Sequence, residues 1–150
     1  MITAYKPMTY GGETVTLAQL DGVTWYEPAN IPINTQLIDY TQCLSDSAIG
    51  YDGNVTTQQW YYASDYTDVA YGMTFTFKCG WWTVVAFYDS SKTFIRSFTV
   101  WDSGVATQDT QDSNLGNGTL TGSTIPSNAA YVRISSTGPN SNYMSLIRTS

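Results

Sequence analysis

The stretch YGMTFTFKCGWWTVVAFYD, Tyr71 to Asp89, decides how the rest of the chain is read. Met73, Phe75, Phe77 and Cys79 alternate with Thr74, Thr76 and Lys78, a period of two that predicts a strand with one apolar face. Gly80 breaks the run. From Trp82 to Tyr88 apolar residues are nearly continuous, which predicts a central strand covered on both sides. Asp89-Ser90-Ser91-Lys92 is a polar turn, and Thr93 to Trp101 a further strand, so the segment predicts an antiparallel meander with a heavy aromatic load.

Working outward, the rhythm of short strands and turns extends from Gln36 to the C-terminus. Gln36 to Tyr40 predicts an early strand. Asp52-Gly53 marks a turn, and Trp60 to Tyr62 is a short aromatic strand. Beyond Trp101, the polar, Gly-rich run from Asp102 to Gly118 is read as a loop of roughly 17 residues, longer than most connections. Thr119 to Thr124, Tyr131 to Ser135 and Tyr143 to Arg148 predict the closing strands. Residues 1–35 are punctuated by Pro7, Gly11-Gly12, Asp21-Gly22, Pro28 and Pro32, with short strands at Thr14 to Leu17 and Val23 to Tyr26. They predict an extended N-terminal arm ahead of a domain at 36–150. With no long amphipathic helix and no repeat, the expected fold is all-β, a two-sheet antiparallel β-sandwich of jelly-roll type.

Composition narrows the function. One hundred and fifty residues suit one domain. Charged residues are only 12% of the chain against 42% hydrophobic, which excludes an ordinary disordered composition. Net charge is -6, and the six Lys and Arg are scattered, so there is no cationic footprint for nucleic acid or for an anionic membrane. No apolar run is long enough for a transmembrane helix, and MITAYKPMTYGGE lacks the apolar centre of a secretory signal. The expectation is a chain retained in the cell that makes it, or an excised piece of a longer one. Cys43 and Cys79 are read as buried free thiols, with a single bridge between them as the alternative, and Cys79 falls on the apolar face of its strand.

The chain contains no His, which removes the commonest general base, the Ser-His and Cys-His nucleophiles and the usual zinc sites. Its only Glu residues, Glu13 and Glu27, lie in the arm. Asp65, Asp68, Asp89, Asp102, Asp109 and Asp112 sit beside turn residues and are read as turn formers rather than a catalytic pair. The chain is therefore expected not to be an enzyme and to need no cofactor. Calcium at Asp109, Asp112 and Asn114 is the one metal alternative, but the loop lacks EF-hand spacing and is read as a solvated acidic loop.

Two segments resemble a known family. VVAFYDSSKTFIRS (Val84 to Ser97) is similar to the AFYDSNKNFIS strand-turn-strand of jelly-roll modules in phage tail and baseplate proteins, and IPSNAAYVRIS (Ile125 to Ser135) to their PSNAKYVRFS strand. The Asp52-Gly53 turn and Ser64 to Tyr66 stand upstream in matching order, so the resemblance spans about 40–148 and leaves the arm outside it. It implies a galactose-binding-like carbohydrate module that attaches a virion to host cell-wall polysaccharide. Other tail or baseplate subunits are implied partners, and no catalytic residue is transferred.

The aromatic surplus points the same way. Five Trp and twelve Tyr are more than one small core is expected to bury, and an exposed flat ring stacks on the C–H face of a sugar while polar groups meet its hydroxyl rim. Trp60 and Tyr62 form one candidate cluster. Trp81 forms another with Trp82, on the opposite face. Trp101 and Asp102 stand at the mouth of the long loop. Arg133 alternates with Val132 and Ile134 and is read as pointing away from the core beside Tyr131, as a planar donor to a sugar hydroxyl or acidic substituent; the other reading is an ion pair with an Asp. These six residues are the expected saccharide site, with homotrimeric display adding avidity. The rival readings are a structural or trimer-forming head or spacer of a tail fibre, and a carbohydrate module of a bacterial surface protein or glycoside hydrolase.

Overall fold

A computed structural model describes residues 3–10, 13–20, 23–27, 31–80, 83–99, 106–108, 115–121 and 124–150. Every regular element among them is a strand apart from one 3-10 turn at Tyr40–Gln42, and every strand pairing is antiparallel. The fold is all-β, as the strand-rich composition predicts.

The two short strands predicted at Thr14 to Leu17 and Val23 to Tyr26 fall within β2 (Glu13–Leu20) and β3 (Val23–Glu27), which with β1 (Thr3–Tyr10) pair in sequence order as a sheet. Tyr10 stands opposite Glu13 and Leu20 opposite Val23, so the connecting dipeptides are Gly11-Gly12 and Asp21-Gly22. These are the residue types favoured by two-residue hairpins.

The predicted meander through Tyr71 to Trp101 is divided between two sheets. β7 (Phe75–Gly80) lies in a four-stranded sheet of order β10-β11-β7-β14, with β10 (Ala106–Gln108), β11 (Leu115–Leu120) and β14 (Ser145–Arg148). β8 (Val84–Tyr88) lies in another, of order β6-β12-β8-β9, with β6 (Thr67–Asp68), β9 (Phe94–Thr99) and β12 (Tyr131–Arg133). The two sheets pack face to face. Phe75, Phe77 and Cys79 of β7, with Leu120 and Leu146, meet Val85, Phe87, Phe98 and Val132 in one core. The other face of β8 carries Val84, Ala86 and Tyr88, and it is closed by Ile49 and Ala63 of a third sheet, order β13-β5-β4. That sheet contains β4 (Leu44–Ile49), β5 (Val55–Ala63) and β13 (Ser135–Ser136). Every residue of β8 is buried, which accounts for its unbroken apolar sequence.

The polar run after Trp101 is shorter as a loop than its composition predicts, because it contains β10 and most of β11. Gly116 and Gly118 of β11 stand opposite Cys79 and Phe77 of β7, where the cross-strand partner supplies the bulk. Gln36 to Tyr40 is likewise not a strand. Residues 31–40 run along the outer edge of β14, with Ile31 and Ile38 in the core. The Gln36 side-chain oxygen accepts from the Leu146 and Ile38 amides at 2.9 and 3.1 Å, so a side chain does part of the work of a strand ladder and covers the edge.

Candidate functional site

The β4–β5 hairpin carries the most exposed aromatic residue among those described. Its tip is tied down. Gly50 N donates to Asn54 O at 2.8 Å, and Asp52 accepts from the amide and side chain of Asn54 at 3.0 and 2.8 Å. Those two bonds hold the Asp52 carboxyl below its ordinary value. Gly53, at φ +76°, lies against the Phe94 ring, and its carbonyl accepts from the Tyr88 hydroxyl. Ser97 Oγ donates to Tyr51 O at 2.7 Å. The loop is thus anchored on β8 and β9.

Below the tip the ladder is interrupted. Ser47 pairs with Thr57 and Ser45 with Tyr62, so Gln58, Gln59, Trp60 and Tyr61 stand opposite Asp46 alone. This is an enlarged bulge. Both of its turning points take a left-handed backbone: Asp46 at φ +49° and Trp60 at φ +70°. Asp tolerates that region, but a bulky Trp there is an outlier and carries strain. Asp46 Oδ1 accepts from the Trp60 amide at 3.1 Å and pins the bulge. The Trp60 side chain is 74% exposed, with Gln58, Gln59 and Ser45 also open to solvent. Beside it, Tyr61 packs against Gly80 at the end of β7, where a side chain would sit about 3.1 Å from the Tyr61 ring. Desolvation pushes the Tyr61 hydroxyl above its ordinary value. The result is a fixed backbone presenting a free indole between amide and hydroxyl groups.

Of the six residues expected at the site, Trp60 and Tyr62 both lie on β5. Tyr62 is half-buried and packed against the main core. Trp81, Trp101 and Asp102 lie outside the described residues, as do the calcium candidates Asp109, Asp112 and Asn114.

Arg133 requires a correction. It does lie on the opposite face of β12 from Val132, but that face is covered by the third sheet, and Arg133 is only 5% exposed. Its Nε donates to Ser64 O at 2.9 Å, and its guanidinium stands 4.8 Å from the Tyr66 ring centre. Tyr66 also contacts Tyr88 edge-on at 4.9 Å and Tyr131 at 5.8 Å, and it receives the Lys92 ammonium at 4.6 Å. Arg133 therefore holds the Ser64 carbonyl and the Tyr66 ring together at the corner where the chain passes from β12 to β13. The pattern placed it on a face correctly but carried no sign that a third sheet closes that face.

Asp46, Gln58 and Gln59 join the site although the sequence reading passed over them. Their signal was weak: a polar run before an aromatic cluster, with one Asp on the preceding strand. Among the described residues no three His, Cys, Asp or Glu side chains gather in a metal-binding group, and both cysteines are free thiols. Cys79 is fully buried and its thiol is pushed up to about 12 by desolvation, which leaves it unreactive. The chain matches no protein-family model, no curated protein and no solved structure.

Proposed function

We propose that this chain is a non-catalytic carbohydrate-binding module of a phage tail or baseplate protein, recognising a host cell-surface saccharide during adsorption. The reading takes the fold as a jelly-roll lectin type carried on the virion, with no enzymatic activity. The observation that carries it is Trp60: an indole open to solvent, on a strained bulge pinned by Asp46 and flanked by Gln58 and Gln59. Strained backbone that the surrounding structure enforces is concentrated at functional sites. A free indole beside amides has the chemistry of a pyranose platform, the ring stacking on C–H groups and the amides meeting hydroxyls. The resemblance over 40–148 supports the same class. One such platform is shallow, so display in several copies, as in a homotrimer, would supply avidity.

The test is calorimetric titration of the chain with cell-wall polysaccharides from candidate hosts. Binding is expected, and Trp60→Ala is expected to weaken it at least ~10-fold, about 1.4 kcal/mol. A second reading has its own support: Leu44 and Val55 on the same hairpin are 47% and 43% exposed, which suits a subunit contact in a spacer or trimer-forming module. Light scattering separates the two. A tight oligomer that shields Trp60 from a soluble quencher favours the contact.

A further inference from the structure

We infer that the saccharide held at Trp60 is uncharged, and that wall polymers bearing phosphate or uronate groups are rejected there; this rests on the carbohydrate-binding reading of the same site. Residues 43–63, CLSDSAIGYDGNVTTQQWYYA, contain no Lys or Arg, and both of their charged residues, Asp46 and Asp52, are acidic.

Nor are the basic residues found elsewhere in the chain assigned to this hairpin. Arg133 is buried on Ser64 and Tyr66. Arg148 donates to Ile31 O at 2.8 Å and to Ser150 O at 3.1 Å, on the edge of another sheet. Lys92 stands over Tyr66 and Tyr131 at the β8–β9 turn, and Arg96 over Phe98 on β9. Lys78 belongs to β7, paired with Asn117 and Ser145, two residues before the Gly80 that Tyr61 packs against, and is on β7 rather than on the hairpin. Lys6 lies on β1.

Recognition of a phosphate or carboxylate draws on Arg or Lys, or on backbone amides gathered at one point. At the bulge the Trp60 amide is already committed to a carboxylate. An anionic polymer laid across Trp60 would bring its charges toward Asp46 with no cation on the hairpin to offset them, in a chain of net charge -6. Gln58, Gln59 and Ser45 supply neutral donors and acceptors, which match the hydroxyls of a neutral hexose or deoxyhexose.

The experiment is one glycan array carrying wall polysaccharides separated on an anion exchanger into neutral and acidic fractions. It is probed with the full chain and with Trp60→Ala. Glycans of the neutral fraction are expected to be held, acidic ones at least ~10-fold more weakly, with Trp60→Ala losing the neutral signal. Binding to the neutral glycans should hold steady between roughly 0.05 and 0.5 M salt, because no screened charge pair contributes. Equal or tighter capture of acidic glycans through Trp60 overturns the inference and leaves the carbohydrate reading standing. Absence of any bound glycan, or binding that Trp60→Ala does not touch, overturns the carbohydrate reading and this inference together.

Discussion

Trp60 shows what a single residue contributes here. Its φ of +70° belongs to a region where a large side chain costs of order 1 kcal/mol or more, and its indole recovers little of that by burial. A residue retained for stability alone would be Gly or Asn. Trp60→Gly is therefore expected to leave stability unchanged or raise it by about 1 kcal/mol in urea unfolding, even as binding is lost. A loss of stability beyond that would show the indole to be packed. Arg133 teaches the converse. Its alternation with Val132 and Ile134 is plain in the sequence, yet period two assigns a residue to a face and is silent on what covers that face. The signal that settles it is spatial: Ser64 and Tyr66 from the β5–β6 connection and Tyr88 from β8 converge on its side chain.

At the scale of elements, the stretches with a strong local signal are those the sequence identifies. The alternation of Phe75, Phe77 and Cys79 marks β7, and all three are buried. The unbroken apolar run marks β8. The turn at Asp89 to Lys92 closes as its residue types predict: Asp89 Oδ1 accepts from the Ser91 and Thr93 amides at 2.8 and 2.9 Å. Partnership between strands was not legible. β7 and β8 are consecutive and β8 to β9 is a hairpin, but nothing local distinguishes a connection that stays in its sheet from one that crosses the core. Gly-rich β11 was hidden because its bulk comes from β7. The β4–β5 tip gives the element-scale prediction. Gly53 combines a positive φ with a Cβ position that would fall 2.2 Å from the Phe94 ring. Gly53→Ala is thus expected to cost about 2–4 kcal/mol in urea unfolding. A cost below 1 kcal/mol would mean that the tip is not seated on β9.

For the molecule as a whole, the all-β class follows from composition: many Thr, Tyr and Val, and no segment with helical periodicity. The third sheet does not follow from composition, and it is what turns β8 into an interior strand and brings the Trp60 hairpin to the surface. Burial on both sides of β8 also sets a pH limit. The Cys79 thiol rises from 9.0 and the Tyr88 hydroxyl from 10.0, each to about 12, mainly by desolvation. Both groups are neutral when protonated, and their folded values lie above the unfolded ones. Their contribution is complete below about pH 9 and is lost as pH rises through 9 to 12. Urea midpoints are expected to be flat from pH 7 to about 9 and to fall steeply above it, the fall beginning later in Cys79→Ala. A midpoint that stays level to pH 11 would contradict burial of both groups.

The central claim is that a fixed, open indole at Trp60 is the landing point for a sugar ring. The most direct measurement is intrinsic tryptophan fluorescence during titration with host wall polysaccharide, for the natural chain and Trp60→Ala side by side. The account predicts a saturable change in the natural chain, absent from Trp60→Ala at an unchanged melting temperature. Identical titrations for the two proteins, or no saturable change in the natural chain with any host polysaccharide, would contradict it.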